Sequence, residues 1–240
     1  MKRRLPSVSQ LFIATLSITA ALSVPPALAD TVTWTHWTAD TPGAPGTATG
    51  TIALGSGITV NYAGETNGLL LNYPSFNPAA TFSGGTVGNA PPSAFNSVQL
   101  TGGGTYTETI TFSSALTNPV MAIWSLGQPG LAASFNFTSS EPFTVQAGGP
   151  SSEYGGTSIT KSGNSVLGSE GNGVIQFTGT FSELTFTTPG YENYYAFTFG
   201  AHALGDGNPP PAVPEPATLS LLGIGLGALP LLRRYLTART

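Results

Sequence analysis

The stretch "PVMAIWSL", residues 119–126, carries no charge and is apolar at odd and even positions alike. "SELTFTT", residues 182–188, is apolar only at alternate positions, through Leu184 and Phe186, with Thr185 and Thr187 between them. A strand that is greasy on both sides belongs in the middle of a sheet covered on both faces. A strand that alternates turns one face to a core and the other to water. Together they imply two stacked sheets, an all-β antiparallel β-sandwich of the jelly-roll or immunoglobulin-like kind, with Trp124 in its core.

The rest of the body repeats these signals. "TYTETITF" (105–112), "ASFNFT" (133–138), "PFTVQ" (142–146), "GVIQFTG" (173–179) and "NYYAFTFGA" (193–201) are short β-rich runs set apart by Gly and Pro, which is how strands joined by turns are written. "TATGTIAL" (47–54) and "GITVNYA" (57–63), separated by Gly55-Ser56, predict a hairpin. "TVTWTHWT" (31–38) alternates so as to place Val32, Trp34 and His36 on one face. "GSEGNG" (168–173) reads as a hairpin loop, since no helix follows it and no Lys stands beside it to make a phosphate cradle. No part of the body keeps a helical period over three turns. Residues 72–97 are rich in Pro, Gly and aromatics without alternation, and Phe76, Phe82 and Phe95 need a dry place. This long segment is expected to cover an edge of the sandwich.

Composition removes several classes of function. The chain has no Cys, which excludes thiolate metal sites and thiol redox chemistry. All eleven acidic residues lie between Asp30 and Glu215, where Lys161 is the only Lys or Arg. A body this acidic cannot neutralise phosphates, so nucleic acid is not a partner.

The two ends read as addresses. Lys2, Arg3 and Arg4 precede an apolar stretch, Leu11 to Leu22, and a small-residue exit, Ala27-Leu28-Ala29. Residues 1–29 therefore read as a signal peptide cut by signal peptidase after Ala29, its apolar part being short of the ~20 residues of a membrane span. At the other end, Pro214 and Pro216 bracket Glu215, a charge-free run extends from Ala217 to Leu232, and Arg233 and Arg234 close it. As a helix that run measures about 24 Å, less than a hydrocarbon core of about 30 Å, so it spans only if the Arg pair holds its end on the cytoplasmic side. The expected organisation is a β-sandwich over 30–206, a Pro-rich linker over 207–212 and, outside the domain, a C-terminal hydrophobic transmembrane helix over 217–232.

Val213-Pro214-Glu215-Pro216, the apolar run and the Arg pair resemble the PEP-CTERM sorting signal, here residues 213–236, of exported proteins from Gram-negative bacteria that also make exopolysaccharide. The basic cluster is short, and Pro230 interrupts the run just before it. The resemblance implies a transient membrane anchor, processing near Pro-Glu-Pro by an exosortase, with Glu215 recognised, and delivery to the cell surface or extracellular matrix. "NPVMAIWSLGQPG" (118–130) and "EGNGVIQFTGTF" (170–181) resemble a body type that recurs among such proteins and implies no activity.

Catalytic patterns are sparse. His36 and His202 are the only His, no G-x-S-x-G occurs, and two distant His cannot build a zinc site. No metal or cofactor is expected. Glu108, Glu153, Glu170, Glu183 and Glu192 are available for glycoside hydrolysis, but spacing selects no pair, although Glu183 and Glu192 flank a turn at Pro189-Gly190. Sugar binding has more to draw on, because aromatics beside Asn and Glu suit glycans. Tyr191, Glu192, Asn193 and Tyr194 are the densest such group, with Tyr154 in the loop "SSEYGG" as a further aromatic. Packing competes for the same residues, since alternation sends Tyr194 and Tyr195 to opposite faces. The repeated T-x-T raises ice binding, although Thr also suits any solvated strand. The expectation is an exported, non-enzymatic structural or adhesive protein of the surface or matrix. The alternative is a carbohydrate-binding module engaging exopolysaccharide, with a glycoside hydrolase or an ice-binding protein beyond it.

Overall fold

Gly, Asn and Pro turns cut the chain into short strands, which the computed structural model describes over residues 29–138 and 141–204. Ala27, the linker, the motif Val213 to Pro216, the 217–232 run, Arg233 and Arg234 lie outside the described residues. The chain runs through β1 (Thr33–Trp34), β2 (His36–Thr41), β3 (Gly43–Ile52), β4 (Ile58–Thr66) and β5 (Gly68–Leu70). A long loop then leads to β6 (Ser97–Leu100), β7 (Glu108–Thr117), β8 (Val120–Leu126), β9 (Ala133–Phe137) and β10 (Phe143–Gly148). After β11 (Thr157–Ser158), β12 (Thr160–Ser162) and β13 (Ser165–Gly168) come β14 (Gly171–Phe177), β15 (Thr180–Thr187), β16 (Tyr195–Ala201) and β17 (Ala203–Leu204). Among the described residues the only helical pieces are 3-10 turns at Ala79–Thr81 and Ser93–Phe95, and no helix is long and apolar enough to cross a membrane.

Two sheets result, and they pack as a β-sandwich. The first has the order β10-β14-β8-β16-β6-β5, with β1 on β16 and β11 on β14. The second has the order β12-β13-β9-β15-β7-β4-β3-β2, with β17 on β7. Every strand pairing is antiparallel except the short one between β11 and β14. Aromatic rings fill the space between the sheets: Phe135 meets Phe186, Tyr195 and Phe197 edge-on, at centroid distances of 5.2, 5.4 and 5.9 Å. Such pairs add to the free energy of burying the rings themselves.

As its sequence requires, β8 is central, between β14 and β16, and buried along its whole length. Its alternation sends Met121 and Ile123 to the inter-sheet core, and Val120, Ala122 and Trp124 to the opposite face of the first sheet. There the loop 71–96 lies over them. Phe76 and Phe82 pack edge-on at 5.2 Å and, with Val87, share an apolar layer with Trp34, Trp124 and Val174. The long segment thus covers a face and not an edge, and Trp124 is buried as expected, in the apolar core layer beneath that segment.

The hairpin across Gly55-Ser56 is present, with Ile52 opposite Ile58. Two other readings change. Residues 31–38 are not one strand, because the chain passes from the first sheet to the second at Thr35, whose N–H and hydroxyl both donate to the Phe199 carbonyl at 2.8 Å. Val32 and Trp34 therefore lie under the covering loop, while His36 is exposed and stacks on Phe95 at 5.0 Å. "GSEGNG" is not a hairpin loop either: β13 belongs to the second sheet and β14 to the first, so the chain crosses between sheets at Ser169-Glu170. Glycine permits that crossing, since a Cβ on Gly168 would stand 2.3 Å from the Leu126 carbonyl.

Among the described residues no such loop covers the outer face of the second sheet. Thr49 stands opposite Asn61, Asn61 opposite Thr111 and Thr111 opposite Glu183, with Thr51 opposite Thr59 alongside. Thr from the repeats in β3 and β7 thus gathers with that of β4 on one polar, largely exposed face, whereas Thr33 of "TVTWT" belongs to the first sheet and Thr35 is buried.

Candidate functional site

β8 meets β14 with one residue too many. Ile123 faces Gly173 and Leu126 faces Gly171, so Trp124 and Ser125 together oppose Asn172 alone. This is a β-bulge, a device that re-aims side chains. Ser125 takes it up with φ +57°, and Leu126 turns back into the inter-sheet core. The fully buried Asn172 holds the arrangement. Its Oδ1 accepts the Ser125 N–H at 2.8 Å, and its Nδ2 donates to the carbonyls of Glu170 at 3.0 Å and Gly155 at 3.1 Å. One amide ties together the end of β8, the crossing between sheets and the loop 149–156.

Between these three segments and the start of β16 lies a cleft of about 290 Å³. Tyr154 and Tyr194 form an aromatic wall, their hydroxyls bonded to each other and their rings 5.6 and 6.0 Å from that of Trp124. The bond from Tyr154, then burial, pushes the Tyr194 hydroxyl up to about 12. Tyr73, from the covering loop, meets Trp124 edge-on at 5.8 Å and donates to Glu153. The covering loop therefore supports the wall from behind.

Two carboxyl groups line the same cleft. Glu170, at φ +53°, accepts the Ser125 hydroxyl at 2.7 Å through Oε2. Ser125 and Glu170 are the non-Asn, non-Gly residues with left-handed backbone among those described, a conformation that costs of order 1 kcal/mol or more and gathers at functional sites. Glu192 is only 2% exposed, and its Oε2 has no hydrogen-bond partner. Burial pushes this carboxyl up to about 8; the Gly127 N–H opposes the rise and the charge of Glu170 adds to it. Gly127 must be glycine to present that N–H, having φ +74° and space for a Cβ only 2.3 Å from the Gly168 carbonyl. The indole Nε1 of Trp124 is also buried without a partner. Unsatisfied buried groups are rare, and two beside one cleft call for an explanation.

Of the five residues singled out for glycans, Tyr154, Glu192, Asn193 and Tyr194 line this cleft, Asn193 donating to Gln128 at 3.3 Å. Tyr191 does not: it is 62% exposed and lies against Gly103. Tyr195 is buried in the inter-sheet core, as alternation from Tyr194 requires. Glu192 shares its cleft with Glu170, whereas Glu183 is exposed on the outer face of the second sheet. Sequence reasoning missed Ser125, Gln128 and Asn172, and held Glu170 only as one of five available carboxylates without pairing it with Glu192; the glycines around Glu170 and Asn172 were the available signal.

An open groove of about 750 Å³ lies elsewhere, between Pro42–Ala44, Glu65–Asn67 and Thr101–Gly104. Behind it Glu108 is buried and accepts the Tyr62 hydroxyl at 2.5 Å and the Glu65 N–H at 2.8 Å, while Glu65 accepts the Thr101 hydroxyl at 2.7 Å. Burial outweighs these bonds and pushes Glu108 up to about 7. These partners all belong to the protein, which marks a structural network. Among the described residues no group of three or more His, Asp or Glu is placed to hold a metal ion.

No family model, no curated protein and no solved structure matches this chain.

Proposed function

We propose that the β-sandwich is a glycan-binding module of an exported protein displayed at the cell surface or in the extracellular matrix, adhesive and not enzymatic. The observation that carries the reading is the convergence of Tyr154, from the loop after β10, with Glu192, Asn193 and Tyr194, from the approach to β16, in one cleft whose two Tyr rings lie tilted against Trp124. Sugars offer an apolar face for a ring and an edge of hydroxyls for carboxyl and amide groups, and both are present. Export rests on the basic-apolar-small pattern of residues 1–29, and retention followed by exosortase processing on Val213 to Pro216 and Arg233-Arg234. The natural ligand under this reading is the exopolysaccharide of the producing cell.

Trp124 supplies the test. Titrating the mature protein with that polysaccharide is expected to change Trp fluorescence saturably, and Y154A is expected to abolish the change while leaving thermal unfolding cooperative. No response at millimolar sugar contradicts the module.

A second reading has its own observation. Glu170 and Glu192 sit in one cleft, and a carboxyl kept protonated beside another is the arrangement glycoside hydrolysis needs. Release of reducing ends from the same polysaccharide, lost in E192Q, would establish it in place of simple binding.

A further inference from the structure

From two carboxyl groups in one aromatic-walled cleft, one of them with a buried unpartnered oxygen, we infer that the preferred ligand is a cationic glycan, a hexosamine unit whose free ammonium group sits between Glu170 and Glu192. The inference rests on the glycan-binding reading and names its ligand class.

Glu170 and Glu192 share the cleft, and no Lys or Arg among the described residues reaches them: Lys161, the only one there, donates to the Phe143 carbonyl at 2.7 Å and lies 4.4 Å from that ring's centroid. Oε2 of Glu192 therefore has neither a donor nor a counter-charge. A buried carboxyl kept this way is costly to the fold unless a ligand completes it. An ammonium group supplies both things at once, with three N–H donors and a positive charge. Tyr154 and Tyr194 suit the same ligand, because ring faces attract cations as well as the C–H face of a sugar. Two carboxylates and two side-chain amides are few ligands for calcium, which takes six to eight oxygens. The cleft, about 290 Å³, has room for a sugar unit. Binding also shifts a proton. Glu192 holds one at neutral pH, with Glu170 and, from β16, Tyr195 as the ionisable groups facing it. An arriving ammonium favours the carboxylate, so the proton leaves to solvent.

The test compares three oligosaccharides of equal length on the wild-type protein: glucosamine, N-acetylglucosamine and glucose oligomers, followed by calorimetry and Trp fluorescence at pH 6, where the amine is charged. The glucosamine oligomer is expected to bind at least about tenfold more tightly than the other two, as a charge-assisted bond in place of a neutral one provides. Titration in buffers of different ionisation enthalpy should show proton release for that oligomer alone. E192Q, whose fold is checked by thermal unfolding, should lose the preference and the proton release. Equal binding of the three by the wild-type protein, or calcium displacing the amine sugar, overturns the inference and leaves the glycan-binding reading standing. Failure of every sugar to bind removes both.

Discussion

The two outer faces of this sandwich have had opposite treatment. On the second sheet, Thr49, Thr51, Thr59, Asn61 and Thr111 form a polar, partly to fully exposed face that no loop among the described residues covers. On the first sheet, Val120, Ala122, Trp124 and Val174 form an apolar face that cannot face water, and the loop 71–96 is laid across it with Phe76 and Phe82. The cover reaches Tyr73 but not the end of β8, where the bulge at Ser125 turns the strand and the cleft opens. Ser125 and Glu170, with their left-handed backbone, and the unpartnered Glu192 Oε2 and Trp124 Nε1 lie at that end of the covered face. A regular ladder of Thr needs no specialised residue, whereas a bulge held by one buried Asn and two left-handed residues has to be specified. That contrast is the reason for assigning recognition to the cleft.

The largest effect separates the core from both faces. Phe135→Ala should cost about 3–5 kcal/mol by chemical denaturation, since the ring is fully buried among three others. Phe82→Ala, on the covered face, should cost about 3 kcal/mol, and hydrogen exchange should show the loss first within 71–96 as local opening. Asn172→Ala removes partners from Ser125, Gly155 and Glu170. It should cost about 2–3 kcal/mol and lower sugar affinity by at least about tenfold, because leaving buried groups unpaired also releases Tyr154.

The pH dependence has a definite sign. Glu108 stands at about 7 in the fold against an ordinary 4.5, and Glu192 at about 8, so between those values the folded state holds protons that the unfolded chain has released. Stability is therefore full below about pH 4.5 with respect to these groups and falls as the pH rises toward 8. Thermal unfolding at pH 5.5 should occur at higher temperature than at pH 8.5, with E108Q flattening part of the slope. The smallest effect belongs to the bare face: Thr51→Ser and Thr59→Ser should change stability by no more than about 0.5 kcal/mol and leave sugar binding unaltered. If they abolish binding, the comparison of the two faces is reversed.

Much of this was written in short patterns. The double-sided β8, the one-sided β15 and the Gly55-Ser56 hairpin follow from local periodicity, which fixes how side chains divide between two faces. Periodicity does not say which sheet a strand joins. Thr35 and Ser169-Glu170 take the chain across the sandwich because of partners far away in sequence, Phe199 for the first and Gly127, whose carbonyl accepts the Glu170 N–H at 2.9 Å, for the second, and no local pattern holds that information. The site divides in the same way. The run from Tyr191 to Tyr194 was conspicuous by composition, yet Tyr191 points away to Gly103, and Glu170 was hidden in a glycine-rich loop. Its neighbours are brought in by the bulge, which depends on a two-against-one register between strands some fifty residues apart.

Hydrogen exchange with and without the cell's own polysaccharide tests the central claim most directly. Protection is expected at 124–128, 152–156, 168–173 and 191–195, the segments that build the cleft, with β3, β4 and β7 unchanged. Protection confined to those Thr-bearing strands, or absent everywhere at saturating sugar, contradicts the assignment of recognition to the cleft.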